Sequence, residues 1–167
     1  MESISPEQLG RWFDAHAAAM VLYARQWLGA TRAEDVVQDV FVRLLTRRAD
    51  PANVRAWLFR CVRNAAMNEL RRWRRRRARH ERLATERTEW FESDPGDLID
   101  AADVQATLAA LPDKQREAIV LRIWGGLSLR EIAEVTGDPL STVFSRYRAG
   151  LAKIRKRMSK PCNTTND

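Results

Sequence analysis

The chain has 167 residues, 45% of them apolar, and its 29 basic and 22 acidic side chains give a formal net charge of +7. This composition excludes wholesale disorder and suits one ordinary or two small helical domains, since seven glycines and six prolines disfavour a loop-rich or many-stranded fold. We expect no membrane span and no secretory signal, because the apolar stretches are short and the first residues lack the required pattern. Cys61 and Cys162 stand far apart, which predicts neither a zinc site nor a disulfide framework and favours a cytoplasmic protein.

Charge is distributed in blocks along the chain. Residues 51–82 carry a net charge of +9, residues 83–113 a net charge of −7, and residues 114–160 a net charge of +7. Two basic blocks separated by an acidic one predict two modules that contact a polyanion, joined by a linker that avoids it. The alternative, well-solvated arginine-rich faces, suits a single run better than two patterned ones.

Three amphipathic helices are predicted in an N-terminal module, residues 1–80, at about 6–28, 31–48 and 53–77. Pro6 suits the first turn of the first helix, with Ser5 as its cap. Thr31 and Glu34 predict a capping box for the second helix.

The third predicted helix carries a dense set of polar side chains. Seven arginines fall between positions 71 and 79, a density that suits contact with phosphates. Trp73 lies inside this run and could either stack on a base or be the last core residue of the helix. Asn64 and Asn68 lie one turn apart, and their amides can both donate to and accept from base edges.

Residues 81–106 are predicted to form an acidic linker with short helical pieces at its ends, and residues 161–167 a disordered tail. Between them, residues 107–160 form a C-terminal module. A helix starts at Leu111-Pro112, Ser128 and Glu131 predict a capping box for the next helix, and Gly137 turns the chain.

The last helix, which begins near Pro139, is basic, and its apolar spacing places Leu140 and Val143 inward. Two helices joined by a glycine-containing turn predict a helix-turn-helix, whose second helix enters the major groove of DNA. Its candidate base-facing residues are Ser141, Thr142, Phe144, Ser145 and Arg148. Arg146 is expected nearer to phosphates, and Phe144 offers an apolar contact to a thymine methyl.

These segments together resemble the extracytoplasmic-function (ECF) subfamily of bacterial RNA polymerase sigma factors over nearly the whole chain. Five motifs occur in the family's order and spacing: AEDVVQDVF at 33–41, WLFRCVRN at 57–64, LPDKQRE at 111–117, GLSLREIA at 126–133 and STVFSR at 141–146. The resemblance implies an all-α fold of two small domains, a sigma-2-like bundle of three to four helices and a sigma-4-like helix-turn-helix, joined by the linker.

The resemblance also implies partners and site residues. The partners are core RNA polymerase, through its β′ clamp helices and β flap, promoter DNA and, in many members, an anti-sigma protein. The implied contacts with the clamp helices are Asp35, Gln38, Asp39 and Arg43. The implied contacts with the −10 promoter element are Arg60, Asn64, Asn68, Arg71 and Arg72, with Asn64 holding a flipped base. The helix-turn-helix would bind the −35 element.

The sequence departs from the family pattern at three positions. Asn68 and Ala149 replace an Asp and an Arg that members often carry, and Phe144 replaces a common basic residue. The promoter sequence therefore does not carry over. A stand-alone helix-turn-helix regulator is the main alternative function, and an RNA-binding or antitermination protein is another. An enzyme is disfavoured, because His16 and His80 are far apart and no phosphate loop or metal cluster is predicted; we expect no catalytic residue, metal or cofactor.

Overall fold

The computed structural model describes residues 4–46, 51–79 and 98–159, and all regular structure in these ranges is α-helical. The helices are α1 (Pro6–Ala24), α2 (Ala30–Leu45), α3 (Val54–Arg79), α4 (Leu98–Ala109), α5 (Asp113–Ile123), α6 (Leu129–Thr136) and α7 (Leu140–Met158). The all-α prediction is confirmed. Residues 80–97 and 160–167 lie outside the described part, so the first part of the expected linker and the expected tail, with His80 and Cys162, are not covered.

Helices α1–α3 form a bundle whose core is the expected apolar face of each helix. Met20, Tyr23, Val40, Leu58 and Val62 have no solvent exposure. The Ser5 hydroxyl accepts a hydrogen bond from the Gln8 amide at 3.2 Å, which caps α1 as predicted.

Two boundaries in this bundle differ from the sequence-based expectation. Helix α1 ends at Ala24, four residues early, in a turn that leads to Gly29. Helix α2 begins at Ala30 with Gly29 as its N-cap, so the predicted capping box of Thr31 and Glu34 is wrong. The Gly29 carbonyl already accepts the Ala33 amide at 2.9 Å, which starts the helix before Thr31 can cap it.

Helices α5–α7 form the expected helix-turn-helix. The Ser128 hydroxyl accepts from the Glu131 amide and the Glu131 carboxylate accepts from the Ser128 amide, so the predicted capping box is present. Gly137 ends α6 with a φ of 74°, a left-handed conformation that favours glycine. Val143 is buried as predicted, whereas Leu140 is 45% exposed and does not face the core, because it occupies the first turn of α7.

Helix α4 occupies the second part of the segment expected to be a linker. Its C-terminal end packs on the helix-turn-helix, where Leu108 forms a small cluster with Leu111 and Ile119. The helix therefore belongs structurally to the C-terminal module.

The two modules share one hydrophobic core. A single buried cluster contains Tyr23 and Phe59 of the bundle together with Leu121, Leu127 and Ile132 of the helix-turn-helix. Gly125, in the turn after α5, permits this approach, because a Cβ there would lie 3.2 Å from Phe59 Cζ and closer still to Leu121 and Leu127. The described helices include none long and apolar enough to cross a membrane.

Candidate polymerase and nucleic-acid interfaces

The exposed face of α2 carries the four residues expected to contact the polymerase. Burial of Val36, Val37 and Val40 on the opposite face turns these side chains to solvent. The exposed residues are Asp35, Gln38, Asp39 and Arg43. Arg32 braces this face, because its guanidinium contacts Glu69 of α3 at 2.8 Å and Asp35 at 3.6 Å.

Two apolar residues on α2 extend this surface and were not among the sequence-based candidates. Val42 is 58% exposed and Leu45 is 48% exposed. The sequence holds a usable signal for Val42, which falls between the buried positions Phe41 and Leu44. Exposed apolar side chains beside charged ones are typical of a protein-binding surface.

The first half of α3, residues 54–63, lies against the C-terminal module. Arg63 Nε contacts Glu117 Oε1 of α5 at 2.7 Å, and Arg55 Nη2 contacts Glu131 Oε1 of α6 at 3.2 Å. Arg60 Nη2 donates to the Glu134 carbonyl at 2.9 Å. Arg60, a predicted −10 contact, therefore binds the helix-turn-helix in this structure.

Glu117 is the most deeply buried charged group at this contact. Its side chain is 3% exposed, and its Oε1 also accepts the Tyr23 hydroxyl at 2.8 Å. Burial, followed by the nearby Glu117 charge and hydrogen bond, raises the pKa of Tyr23 well above its usual value. Burial acts to lower the pKa of Arg63, but its hydrogen bond and attraction to Glu117 outweigh burial and raise that pKa. Tyr23 and Arg63 thus stay protonated and hold a carboxylate between the modules.

The second half of α3, residues 64–79, carries an open polar surface on the side opposite the buried Ala66. The four remaining −10 candidates, Asn64, Asn68, Arg71 and Arg72, are all exposed. Arg71 Nη1 donates to Asn68 Oδ1 at 3.3 Å, and Arg72 Nη1 contacts Glu69 Oε1 at 3.1 Å. The structure therefore places amides and guanidinium groups together on one open helical surface.

Trp73 is not the last core residue of α3, which was one of its two interpretations. Its side chain is 50% exposed, and the Arg77 guanidinium carbon lies 5.0 Å from its ring centroid. A cation over one face of an indole is a stabilising arrangement. The exposed ring makes Trp73 available for stacking on a base.

The recognition helix α7 presents most of its predicted DNA-facing residues. Ser141, Phe144, Ser145 and Arg148 are exposed, whereas Thr142 is half-buried. Phe144 is 47% exposed, with the Arg148 guanidinium carbon 5.6 Å from its ring centroid. An apolar ring and a cation therefore stand side by side on the exposed face of α7.

Arg146 is half-buried and bonded within the module. Its Nη1 donates to Asp138 Oδ2 in the turn before α7. Partial burial acts to raise the pKa of Asp138, but the hydrogen bonds from Arg146 and Thr136 outweigh it and lower that pKa. In this structure Arg146 fixes the entry of the recognition helix.

Titratable side chains elsewhere in the described ranges are dispersed. No three of His, Cys, Asp or Glu residues there come close enough together to hold a metal ion. His16 is half-buried on α1, and burial, followed by the charge of Arg55, lowers its pKa. The imidazole is therefore mainly neutral at pH 7.

Comparison with known proteins assigns both modules. The family model for Sigma-70 region 2 matches residues 12–77, and the model for Sigma-70 region 4 matches residues 101–154. The second match includes residues 101–109 of α4, in agreement with the packing of that end of the helix. The solved structure of the sigma factor RpoE in complex with the anti-sigma factor NepR, from Bartonella quintana, is similar in fold. Its TM-score is 0.77 at 22% identity, covering 94% of this chain and 99% of that one.

Closer sequence similarity is found with other proteins. CnrH, solved in complex with the cytosolic domain of CnrY, matches with a TM-score of 0.63 at 29% identity, covering 92% of this chain and 89% of that one. The ECF RNA polymerase sigma factor SigE of Mycolicibacterium smegmatis is 33% identical over 80% of this chain, which spans 54% of that longer protein. The ECF RNA polymerase sigma factor RpoE of Cereibacter sphaeroides is 32% identical over 78% of this chain and 74% of its own length. The chain belongs to the extracytoplasmic-function subfamily of RNA polymerase sigma factors, which are non-enzymatic transcription initiation factors.

Proposed function

We propose that this chain binds core RNA polymerase in the cytoplasm and directs it to promoters through three separate surfaces. The observation that carries the proposal is the presence, in one chain, of exposed nucleic-acid-binding faces on both α3 and α7, within matches to sigma regions 2 and 4. Residues 1–80 act as the polymerase and −10 domain and residues 107–160 as the −35 domain, with α4 packed on the latter.

The exposed face of α2 is the proposed contact with the β′ clamp helices. Asp35, Asp39 and Arg43 supply charges that steer association, while Val42 and Leu45 supply apolar area beside them. The C-terminal module is proposed to contact the β flap, as the family resemblance implies.

The second half of α3 is the proposed −10 surface. Asn64 and Asn68 present amides that can bond to the edges of an unpaired base, and Arg71 and Arg72 stand beside them for phosphates. A base captured by Asn64 would favour the opened duplex, since it is held only when extruded. Trp73 adds an aromatic surface on the same helix.

The N-terminal half of α7 is the proposed −35 surface. Ser141, Ser145 and Arg148 supply hydrogen bonds, with Thr142 at the edge, and the exposed ring of Phe144 supplies an apolar contact. Arg146 contributes indirectly by holding the start of α7 against Asp138. A helix entering the major groove with this set reads both base edges and a methyl group.

A regulatory protein partner of the anti-sigma class is also proposed. Support comes from the two structural neighbours, one of which was solved with the anti-sigma factor NepR and the other with the cytosolic domain of CnrY.

The test is reconstituted run-off transcription with bacterial core polymerase across a promoter library. Discrete transcripts that require both proteins are expected, with Asn64→Ala reducing initiation about tenfold, since a good base contact is worth about 1–3 kcal/mol. Asp39→Ala is expected to weaken co-purification with the polymerase. Asp14→Ala, which removes an exposed carboxylate from α1, is the matched control.

The alternative function gives a different result. Sequence-specific binding to duplex DNA without any association with core polymerase would replace the proposal by a stand-alone helix-turn-helix regulator. Preference for structured RNA would indicate an RNA-binding protein.

A further inference from the structure

We propose that Phe144 and Arg148 together select one dinucleotide in the major groove of promoter DNA, a thymine beside a guanine. The thymine is recognised by its methyl group, and the guanine by its O6 and N7 acceptors. The selection rests on the −35 role proposed above for α7, and it specifies which bases that helix recognises.

An apolar strip lies along one flank of the recognition helix. It consists of Leu140 and Phe144, which are 45% and 47% exposed and lie one helical turn apart. The core contacts of α7 are made from another face of the helix, by Val143 and Tyr147 among others. The strip is therefore available to a partner surface that removes it from water.

A cation follows the strip along the helix. Arg148 lies one further turn along α7, and its guanidinium carbon is 5.6 Å from the centroid of the Phe144 ring. No carboxylate in the described ranges pairs with Arg148, whereas Arg146 is bonded to Asp138. Because a guanidinium that stacks on a ring keeps its donors at its edge, Arg148 is positioned by Phe144 and still able to donate.

DNA is the partner that fits this combination. Thymine is the one base with a methyl group in the major groove, and guanine presents there two acceptors that match the guanidinium fork. An apolar ring followed by a cation therefore matches a methyl group followed by two acceptors. The last turn of α7 is basic, with Arg155, Lys156 and Arg157, which favours a polyanion over a protein as the partner of this helix.

The local geometry suits bases that are close neighbours. Residues four apart are separated by about 6 Å along a helix, and successive base pairs by about 3.4 Å, so the two contacts fall within two base-pair steps. Phe144 and Arg148 line a shallow cleft with Ser145 and Ala149. Ala149 carries only a methyl group, so no second cation at that position competes with Arg148 for the same base.

The first step of the test is selection from a randomised duplex library. The holoenzyme is used, or the full chain alone if no holoenzyme forms. A thymine beside a guanine is expected at fixed positions in the bound sequences. A selected site without this pair would overturn the proposal.

The second step removes single groups from the selected duplex and measures affinity by competition at one fixed salt concentration. Deoxyuridine in place of the thymine removes only the methyl group and should weaken binding about fourfold, the effect of one buried methyl group. Replacing the guanine by 7-deazaguanine removes only the N7 acceptor and should weaken binding about tenfold, as expected for a hydrogen bond from a charged donor. Unchanged affinity for either duplex would overturn the corresponding contact.

Three variants assign these effects to side chains. Phe144→Ala should bind the thymine and deoxyuridine duplexes equally, and Arg148→Ala should bind the guanine and 7-deazaguanine duplexes equally. Phe144→Leu keeps an apolar side chain but removes the ring under Arg148. It should retain the response to deoxyuridine and reduce the response to 7-deazaguanine about threefold, the effect of an exposed cation–π contact.

The matched control is Phe13→Ala. Phe13 is 44% exposed on α1, so its truncation removes an equally exposed ring that lies outside the recognition helix. Both affinity ratios should be the same as in the unsubstituted protein. Equal ratios in Phe13→Ala and Phe144→Ala would mean that Phe144 does not recognise the methyl group, and a protein partner would then be the better occupant of the strip.

Run-off transcription separates this selection from the function on which it rests. Loss of polymerase-dependent initiation together with a retained response to deoxyuridine removes the sigma-factor function and keeps the base selection. Normal initiation together with no response to deoxyuridine or 7-deazaguanine removes only the base selection.

Discussion

The two halves of α3 carry the same residue type in opposite surroundings. In residues 54–63, Arg55, Arg60 and Arg63 each bond to an acceptor of the C-terminal module. In the second half, the arginines between positions 71 and 77 face solvent, and the contacts described for Arg71 and Arg72 are to Asn68 and Glu69 of their own helix.

The difference teaches that arginine density alone does not define a DNA-binding surface. Separating an ion pair that is buried away from water leaves uncompensated charge. The energy of such a pair therefore depends strongly on whether the conformation keeps its two members together. Exposed arginines are coupled to ionic strength instead, because counterions screen them and are released when phosphates bind. One helix thus combines a conformation-dependent half with a salt-dependent half.

The largest expected effect comes from removing the buried carboxylate of the first half. Glu117→Ala should lower the free energy of unfolding by about 3 kcal/mol, because Arg63 and Tyr23 lose their shared partner in a buried site. Urea denaturation followed by circular dichroism measures this loss. Asp113→Asn, at a pair whose acid is 80% exposed, should change it by less than about 0.5 kcal/mol. Equal effects would mean that burial of the pair is unimportant.

The second half should respond to neutralisation in affinity rather than stability. Replacing Arg74, Arg75 and Arg76 together by glutamine should weaken binding to duplex DNA about a hundredfold at 0.1 M salt and reduce the salt slope by about three. Titration at several salt concentrations measures both. Arg11→Gln, an exposed position on α1, should leave the slope unchanged. An unaltered slope in the triple variant would mean that these arginines do not contact phosphates.

A smaller effect is expected at the helix cap of α6, whose Glu131 also contacts Asn53 and Arg55. Ser128→Ala should cost about 1 kcal/mol, because it removes the hydrogen bond to the Glu131 amide and loosens the carboxylate that Asn53 and Arg55 hold. Thermal unfolding measures this loss. Ser145→Ala, which removes an exposed hydroxyl from α7, is the control for a serine that caps no helix. Matching losses in the two variants would contradict the role of Ser128.

The smallest effect is expected from mild acid. Burial acts to raise the pKa of Glu131, but hydrogen bonds from Ser128, Asn53 and Arg55 outweigh it and lower that pKa to about 2. Its stabilising contribution is therefore complete above the ordinary carboxyl range and is lost progressively as pH falls from that range to about 2. A carboxyl NMR titration of Glu131 should show no inflection between pH 7 and pH 4. An inflection there would contradict the hydrogen-bond set.

Features set by local periodicity were accessible from the sequence. The helix-turn-helix, the Ser128 capping box and the exposed face with Asn64 follow from spacing over one or two helical turns. The start of α2 could not be predicted in this way, because both Gly29 and Thr31 are suitable N-caps and only the backbone geometry decides between them. Leu140 was misassigned because the first turn of a helix has no preceding turn to pack beside it.

Contacts between the modules were beyond sequence reasoning. Tyr23 and Glu117 are separated by 94 residues, and neither position is unusual in its own helix. From the sequence alone, Glu117 is an ordinary polar residue of α5. Its burial is seen only in the structure, where Arg63 contacts it. Trp73 is a second such residue, because helical spacing is compatible with both a core position and an exposed one.

The core shared by Tyr23, Phe59 and Leu127 has a consequence for how the chain melts. Two modules with separate cores would unfold in two steps, each with its own heat absorption. A continuous core makes the interface part of what each module needs to remain folded, so calorimetry should record one cooperative endotherm for the free protein. Two separate endotherms would instead show that each module remains folded without the other.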